Sequence, residues 1–349
     1  MSDEDYMRLA LELSLQGRPS PNPYVGAVLV KDGKIISRGY HQKAGMAHAE
    51  AEAIGGQDCK GATLYVTLEP CSHWGKTPPC TKAIIEAAVK EVVYGAEDPT
   101  EKVRGREELE AAGVTVRGGV LARECELVNE AFFKHARTGK PFVIIKAGMT
   151  LDAQLATSTG KSQWITSEES RNLVHELRSR YDAVLVGVNT ILADNPHLTA
   201  RTEGGRDPLR VVLDSRLRTP SDSNVLMGGG AIIATTDRAD QSRIQELEGK
   251  AKIWVLGREE VDIPRLMAKL GENGVTSVLI EGGGTVNAAA VKAGVVDKYI
   301  LFIAPKLMLG ANIPAFKGAP IRELTEAVEL RYASAIRIGG DILVEAYPA

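Results

Sequence analysis

Four side chains in the first quarter of the chain have the types and spacing of a metal site with an acid beside it. His48 and Glu50 lie two residues apart at the start of the apolar segment AHAEAEAI, and Cys71 and Cys80 bracket the segment SHWGKTPP. One imidazole and two thiolates suit Zn²⁺, and three protein ligands leave its fourth tetrahedral position open to water. Because a structural zinc site normally uses four protein ligands, this set predicts a catalytic ion.

The order His-x-Glu, Pro-Cys and then a second Cys is the pattern of zinc-dependent deaminases. In that pattern His48, Cys71 and Cys80 would hold the ion, which lowers the pKa of the water molecule bound to it toward ~7. Glu50 is not a ligand; it takes a proton from that water and delivers it to the leaving amine. Taken singly, each residue has a plainer explanation: a cap or core residue for His48, a first-turn acid for Glu50 and buried thiols for the cysteines. Their occurrence together favours the deaminase interpretation.

The spacing of the two cysteines departs from the common pattern Pro-Cys-x-x-Cys. Here the eight-residue segment SHWGKTPP separates Cys71 from Cys80, and it is expected to bring His73, Trp74, Lys76 and Thr77 to the mouth of the site. An ordinary surface loop is the alternative. A loop tied at both ends to one metal ion is nevertheless well placed to bind substrate, so the insert predicts a substrate specificity unlike that of a generic nucleoside deaminase.

The candidate ligands are predicted to lie at the ends of secondary-structure elements. Pro70 ends the strand predicted at 62–70, and Pro79 immediately precedes a helix predicted from residue 80. Alternating strands and helices predict an α/β fold whose sheet is covered on both faces. The other elements predicted for this half are a helix at 4–16, strands at 25–30, 34–40 and 91–99, a helix followed by a strand within 105–116, and a helix at 121–137.

A second α/β series follows the segment HARTGKPF, residues 135–142, which has the composition of a linker. The domain boundary is therefore predicted near residue 140. Strands are predicted at 142–148, 183–187, 209–213, 231–235, 253–256, 277–281 and 299–304. Helices are predicted at 168–179, 241–248, 264–271 and 285–293.

Glycine loops in the second half give a weaker functional signal. No Gly-x-Gly-x-x-Gly follows the first strand, so the usual dinucleotide-binding fingerprint is absent. The loop Gly282–Gly284 leads from a predicted strand into a predicted helix and could cradle a phosphate, or be only a tight turn. A second triple glycine at 228–230 predicts a hairpin or a surface turn.

One predicted helix and the segment after it contain polar residues suited to ligand binding. Ser167 is a candidate N-cap for a helix carrying Arg171, Arg178 and Arg180. One or two of these arginines could capture a phosphate; the alternative is a solvated helix face. The segment 186–201, VGVNTILADNPHLTAR, reads as irregular chain after an apolar strand, where α/β sheets bind their ligands.

Composition limits the class of protein. A chain of 349 residues predicts two domains at ~100–200 residues each. A net charge of −3 and a pI near 6.1 argue against nucleic acid as the main partner. The acidic N-terminus lacks the pattern of a signal peptide, and no apolar run approaches the ~20 residues of a membrane span. Four cysteines are too few for a disulfide framework, so we expect a cytoplasmic protein without a membrane partner.

Together, the segments PNPYVGAVLV, HAE, LEPCSHWGKTPPC, QWIT and DAVLVG resemble the bifunctional deaminase/reductase family of riboflavin biosynthesis. The resemblance runs over nearly the whole chain, and PCSHWGKTPPC is especially specific. It implies a cytidine-deaminase-like α/β/α sandwich over 1–140 and an α/β domain similar to dihydrofolate reductase over 141–349. It also implies a homo-oligomer.

The resemblance implies two reactions on phosphorylated pyrimidines. The first is zinc-dependent hydrolytic deamination of 2,5-diamino-6-ribosylamino-4(3H)-pyrimidinone 5′-phosphate. The second is NADPH-dependent reduction of the ribosyl group of 5-amino-6-(5-phosphoribosylamino)uracil to ribityl. The nicotinamide carries the hydride chemistry, and the protein mainly orients it.

The resemblance also implies roles for individual residues. In the first domain His48, Cys71 and Cys80 bind Zn²⁺ and Glu50 moves protons. Near the first substrate it places Asn22, His73 and Lys76. In the second domain the residues implied to contact NADPH are Gly148, Trp164, Thr190, Asp194, Ser215, Gly283, Gly284 and Thr285. Those implied to hold the second substrate are Lys146, Ser162, Arg178, Leu198, Arg201 and Glu281.

The chain departs from the family pattern at a few positions. The family usually has Asn where Glu52 stands, and its DPNP is DPTE here, with Thr100 and Glu101. The extra carboxylate of Glu52 could alter the substrate selectivity of the site or the pKa of Glu50. The family's SLDG is TLDA, so Ala153 replaces a glycine, which predicts an altered loop and a weakened reductase.

Two other classes of function compete with the bifunctional enzyme as explanations of these residues. One is a single-activity zinc deaminase of nucleosides or tRNA with an accessory domain, which the long cysteine spacing and the negative charge disfavour. The other is a structural zinc module with an interaction domain, which the three-ligand set and the adjacent Glu50 disfavour.

Overall fold

The computed structural model describes residues 1–75, 77–100 and 103–349. The chain divides into two compact units, Met1–Gly139 and Lys140–Ala349. Within the described residues, no helix is both long and apolar enough to cross a lipid bilayer.

The first unit is built on one five-stranded sheet. Its strands are β1 (Gly26–Lys31), β2 (Lys34–Tyr40), β3 (Thr63–Leu68), β4 (Glu91–Ala96) and β5 (Thr115–Gly118). Its helices are α1 (Asp3–Ser14), α2 (Ala49–Ile54), α3 (Cys80–Glu86), α4 (Gly105–Ala111), α5 (Ala122–Val128) and α6 (Glu130–Thr138). The strand order is β2-β1-β3-β4-β5, with β1 antiparallel to both neighbours and β3, β4 and β5 parallel.

Burial explains why these segments form this sheet. The central strands β1, β3 and β4 are buried along nearly their whole length, as expected for a sheet with both faces covered. The helix α1 packs Met7 and Ala10 into the core. Its start is fixed by a capping box, in which Ser2 Oγ accepts from the Asp5 N–H and the Asp5 carboxylate accepts from the Ser2 N–H.

The end of this unit differs from the sequence prediction. The single helix predicted at 121–137 is broken at Asn129, whose backbone leaves the helical region. Its amide side chain instead pairs with the backbone of Tyr24, donating to the carbonyl at 2.9 Å and accepting from the N–H at 2.7 Å. The predicted linker at 135–142 is also shorter, because α6 continues to Thr138 and ends at Gly139, whose φ is 68°.

The second unit contains a nine-stranded sheet. Its strands run in the order β11-β10-β9-β8-β12-β6-β13-β16-β15, parallel from β11 to β13 and antiparallel for the last two pairs. The strands of the unit are β6 (Phe142–Thr150), β7 (Gln154–Ala156), β8 (Ala183–Gly187), β9 (Leu209–Leu213), β10 (Ala231–Thr235), β11 (Lys252–Val255), β12 (Ser277–Ile280), β13 (Lys298–Ala304), β14 (Ile313–Pro314), β15 (Leu330–Ile338) and β16 (Asp341–Pro348). The strands β7 and β14 form a separate pair.

Helices of the second unit connect its parallel strands. They are α7 (Glu168–Arg180), α8 (Val188–Asp194), α9 (Gln241–Leu247), α10 (Ile263–Glu272) and α11 (Gly284–Lys292), with 3₁₀ turns at Asn224–Leu226 and Leu324–Glu326. The N-cap prediction for α7 is confirmed, since Ser167 Oγ accepts from the Ser170 N–H. The segment predicted to be irregular after β8 begins instead with α8. Strand β10 is parallel to both neighbours, so the triple glycine before it is a turn and not a hairpin.

The backbone at Ala153 takes the conformation that a glycine would favour. Its φ is +59°, in the left-handed region, and its N–H donates to Thr150 O at 2.9 Å. The neighbouring Asp152 carboxylate accepts from the backbone N–H groups of Met308 and Leu309. The loop therefore keeps its hydrogen bonds although alanine is strained there.

Ala153→Gly is expected to raise the free energy of unfolding of the second unit by up to about 1 kcal/mol, because the left-handed cost to alanine is removed. Urea unfolding of the two proteins measures this difference. The matched control is Ala293→Gly, at φ −74° after α11, where the same substitution should destabilise by about 0.5–1 kcal/mol. Equal effects at the two positions would contradict backbone strain at Ala153.

Candidate active sites

Three elements of the first unit bring the predicted zinc ligands together. His48 is the N-cap residue of α2, Cys71 lies three residues beyond the end of β3, and Cys80 is the first residue of α3. Helix α3 starts against Cys71, because the Thr81 N–H donates to Cys71 O at 3.2 Å. The end of one strand and the starts of two helices thus meet at one point.

The donor atoms of these residues converge as a metal site requires. The Nδ1 atom of His48 lies 3.2 Å from Cys80 Sγ and 3.6 Å from Cys71 Sγ. The three donor atoms all lie within 4.8 Å of one another. One imidazole nitrogen and two thiol sulfurs at this separation fit the ligand set of Zn²⁺.

The two thiols have opposite pKa shifts because they share one hydrogen bond. The pKa of the Cys71 thiol is lowered to about 4, chiefly by its hydrogen bond with the Cys80 side chain. Hydrogen bonds with the His48 side chain and from the Cys80 N–H act in the same direction. The same Cys71 contact and burial raise the pKa of the Cys80 thiol. The pair is therefore poised to bear one negative charge without a metal, and a cation would favour the second thiolate.

Glu50 lies beside this donor set and is almost fully buried. The residue is only 4% exposed. Burial raises the pKa of its carboxyl to about 7, and the negative charge of Cys71 acts in the same direction. A carboxyl that titrates near neutral pH can both accept and return a proton, as general acid–base catalysis requires.

A cavity of about 370 Å³ opens onto His48, Cys71 and Glu50. This volume is in the range of small-molecule sites. Of the residues predicted to meet the first substrate, Asn22 and His73 line it, as does Thr100. Lys76 and Glu101, two other positions of interest, lie outside the described residues.

His41 is a cavity residue that no sequence motif indicated. It is 2% exposed, and burial lowers its pKa. Its Nδ1 lies 2.9 Å from Ala47 O and must donate there, so Nε2 accepts from the Asn22 amide Nδ2 at 3.0 Å. His41 thereby sets the direction of the Asn22 amide. The contact spans 19 residues, which is why local sequence patterns do not reveal it.

Glu52 does not enter the site as the sequence suggested. One of its carboxylate oxygens accepts from the Tyr40 N–H at 2.7 Å and the other from Gln42 Nε2 at 2.9 Å. These bonds tie α2 to the end of β2. The extra carboxylate is thus a packing feature of the unit, and the cavity beside Glu50 is formed without it.

Three charged side chains meet in the second unit. The Glu281 carboxylate, 4% exposed, lies 2.7 Å from Lys146 Nζ and 2.6 Å from Arg178 Nε, with Arg178 Nη2 at 2.9 Å. Burial by itself would raise the pKa of Glu281, but the two cations outweigh it and hold the pKa at about 2. Glu281 is therefore ionised and links strand β6 to helix α7.

Apart from Trp164, the predicted NADPH residues lie at or near the carboxyl ends of parallel strands. Gly148 is in the second half of β6, and Thr190 and Asp194 are on α8, directly after β8. Ser215 follows β9 by two residues, and Gly283, Gly284 and Thr285 follow β12. Parallel strands place these ends along one sheet edge, where α/β folds bind ligands. Trp164 is 63% exposed, and the Arg171 guanidinium lies 4.4 Å from its ring centre.

The glycine loop after β12 is shaped partly by packing. A Cβ on Gly282 would lie 2.7 Å from Val286 Cβ, and one on Gly284 would lie 2.2 Å from Pro314 O. A Cβ on Gly283 would meet nothing within 4 Å. The tight-turn explanation therefore accounts for Gly282 and Gly284, while Gly283 leaves open space before α11.

The predicted substrate segment 198–201 is anchored to α7. Leu198 and Arg201 both have positive φ, at 58° and 55°. Arg178 Nη1 donates to Thr199 O between them at 3.3 Å. His175, one turn earlier on α7, also contacts the Thr199 backbone, and burial with the charges of Arg178 and Arg201 lowers its pKa. Left-handed backbone in non-glycine residues is strain that commonly marks functional sites. The half-buried Ser162 lies in the segment between β7 and α7.

Comparison with protein families gives two matches. The profile described as the cytidine and deoxycytidylate deaminase zinc-binding region matches residues 1–96. The profile described as the RibD C-terminal domain matches residues 141–344.

Whole-chain relatives and solved structures extend this result. The riboflavin biosynthesis protein RibD of Actinobacillus pleuropneumoniae is 42% identical over 99% of this chain and 95% of its own. That of Escherichia coli K12 is 39% identical over 98% of each chain. A crystal structure from Thermotoga maritima matches with a TM-score of 0.90 and 35% identity over 99% of both chains. That protein is described as a diaminohydroxyphosphoribosylaminopyrimidine deaminase and 5-amino-6-(5-phosphoribosylamino)uracil reductase. Acinetobacter baumannii RibD gives a TM-score of 0.89 at 33% identity, again over 99% of both.

Proposed function

Since this chain belongs to the RibD family of riboflavin biosynthesis, we propose that His48, Cys71 and Cys80 hold its zinc and that Glu50 is its proton carrier. The protein is a bifunctional deaminase and reductase that uses zinc and NADPH and acts on phosphorylated pyrimidines. The family resemblance and the predicted fold class, a cytidine-deaminase-like domain followed by a dihydrofolate-reductase-like domain, are confirmed. Zinc chemistry is assigned to residues 1–140 and hydride transfer to 141–349.

One observation carries the assignment of the first site. The His48 Nδ1 and two Sγ atoms converge beside a buried carboxyl, at the end of a cavity that could hold a pyrimidine nucleotide. When bound, the zinc ion supplies an acidified water. Glu50 takes a proton from the attacking water and passes it to the departing amino nitrogen. Asn22, oriented by His41, binds the pyrimidine, and His73 lies at the mouth toward the ribosyl phosphate.

The second site follows from the ion cluster around Glu281. NADPH supplies the hydride when bound, along the edge formed by the ends of β6, β8, β9 and β12. Glu281 holds Lys146 beside the ribosyl chain of the substrate. Because the three guanidinium nitrogens of Arg178 serve Glu281 and Thr199, the exposed Arg201 is the better ligand for the substrate phosphate.

The whole-chain matches to RibD disfavour a single-activity nucleoside or tRNA deaminase. We also propose that the chain acts without nucleic acid, in keeping with its net charge of −3. The homo-oligomer stays a prediction. The edge strand β15 offers a surface for it, with Leu330, Tyr332 and Ile336 exposed on it.

A substrate assay tests both activities in one preparation. Zinc-loaded protein given the diaminopyrimidine ribosyl phosphate is expected to release ammonia without NADPH. NADPH oxidation is expected only with the deaminated uracil product, whether formed in the assay or added. Protein treated with a zinc chelator should lose ammonia release yet still oxidise NADPH when the uracil compound is added. A zinc-loaded sample that releases no ammonia would contradict the deaminase assignment.

A further inference from the structure

The loop between the two cysteines contacts the metal site at a third point. The Oγ1 atom of Thr77 lies 3.1 Å from His48 Nε2. This nitrogen is on the opposite side of the ring from Nδ1, which faces the sulfurs of Cys71 and Cys80. In the described part of this loop, 72–75 and 77–79, Thr77 therefore attaches the chain to the ligand set in addition to the two flanking cysteines.

The chemistry of imidazole gives this contact a direction. A neutral histidine has one nitrogen that carries a proton and one that accepts. When Nδ1 of His48 offers its lone pair to a metal ion, Nε2 must carry the proton and donate it. The Thr77 hydroxyl is then the acceptor, which is the arrangement that fixes ring orientation and ligand basicity at zinc sites.

The neighbouring histidine does not compete for this role. The His41 ring lies 5.0 Å from the His48 ring, edge to face, so it packs against the ligand. Both His41 nitrogens are engaged elsewhere, with Ala47 O and with Asn22. Thr77 is thus the polar partner of the outer nitrogen of His48.

The position of Thr77 is itself constrained by the loop. Its carbonyl accepts from the Gly75 N–H at 3.2 Å, and its side chain is half-buried on the cavity wall. Pro78 and Pro79 follow, and their rings restrict the backbone before Cys80. The hydroxyl is therefore held in place before a metal ion arrives.

We propose that Thr77 is a positioning residue, which orients His48 for Zn²⁺ through its hydroxyl and ties the substrate loop to the bound ion. This inference rests on the proposed zinc-dependent deaminase site. It gives the eight-residue cysteine spacer a second purpose: the loop supplies the outer partner of a metal ligand as well as part of the cavity wall. Loss of zinc would then release Thr77 from the ligand set.

Zinc affinity of the full-length protein tests the first half of the proposal. Competition with a chromogenic chelator should show zinc bound about 10–100-fold more weakly by Thr77→Val, which keeps the shape but loses the acceptor. Thr77→Ser retains the hydroxyl and should bind zinc nearly as well as the original chain. The matched control is Thr100→Val, on the same cavity wall, because its hydroxyl donates to the Asp98 carboxylate and not to a ligand.

Proteolysis at Trp74 tests the coupling to the loop. Trp74 is 70% exposed, so chymotrypsin can reach it, and cleavage there should accelerate when zinc is removed. In Thr77→Val, zinc-saturated protein should be cleaved about as fast as the zinc-free original chain. Thr77→Ser should restore protection.

The outcomes separate this inference from the proposed function. Equal zinc affinity in Thr77→Val and the original chain would overturn it, as would equal weakening in Thr77→Ser and Thr77→Val. A full-length protein that binds no zinc would remove the proposed deaminase site itself, and the basis of the inference with it.

Discussion

Glu50→Gln is expected to keep its zinc and to lose ammonia release by about 10²–10⁴-fold. The change replaces a buried carboxyl by an amide of nearly the same shape, so the packing of α2 is preserved. It removes the group that can accept and return a proton, whose pKa burial raises to about 7. Zinc content by elemental analysis and ammonia release, measured on the same sample, give the two readouts.

The matched control for this substitution is two residues away on the same helix. Glu52→Gln should leave ammonia release near that of the original chain, because the Glu52 carboxylate bonds Tyr40 and Gln42 and does not line the cavity. Retained turnover in Glu50→Gln would remove Glu50 from its role. A large loss in Glu52→Gln would show that the extra carboxylate matters to the site after all.

Glu281→Gln is expected to destabilise the second unit by about 3–5 kcal/mol, because it leaves two buried cations without their counter-ion. The side chains of Lys146 and Arg178 are each 15% exposed, so water compensates them poorly. The rate of NADPH oxidation should also fall, because Lys146 loses the ion pair with Glu281 that holds its side chain near the end of β12. Urea unfolding, followed by the fluorescence of Trp164 and Trp254 in this unit, measures the stability change.

The pH dependence of stability gives this prediction a sign. A carboxyl whose pKa falls from 4.5 to about 2 on folding stabilises the fold fully above its ordinary pKa. That contribution is lost as the pH drops from about 4.5 through 2, and it is constant between pH 5 and 8. The Glu281→Gln chain should therefore lack this part of the acid sensitivity. Unchanged acid sensitivity would contradict an ionised Glu281.

A surface carboxylate provides the comparison. Glu259 pairs with Arg238 in the same unit, and the two side chains are 64% and 46% exposed. Glu259→Gln should cost less than about 0.5 kcal/mol, because solvent screens an exposed pair. Similar losses for Glu259→Gln and Glu281→Gln would mean that the cluster around Glu281 is not the stabilising network its burial indicates.

Local sequence patterns were sufficient for much of the fold. Runs of buried aliphatic residues predict β3, β4, β8 and β10, because strands covered on both faces must be apolar throughout. The break at Asn129 and the hairpin of β15 and β16 were not predictable in this way. Asn129 leaves the helix to pair with Tyr24, 105 residues away, and β15 is largely exposed, so it lacks an apolar pattern.

Residue types and their spacing are enough to predict the chemistry of the first site. Two cysteines, a histidine and a glutamate at Pro-marked element ends indicate zinc hydrolysis, because ligand type and spacing are local properties of the chain. The contacts of the neighbouring residues emerge only from the folded chain: Thr77 contacts the ring of His48, His41 contacts Asn22, Glu52 contacts the end of β2, and Glu281 lies between Lys146 and Arg178. These are hydrogen bonds and ion pairs between residues 12 to 135 positions apart, and their partners are chosen by packing and burial, which no local pattern encodes.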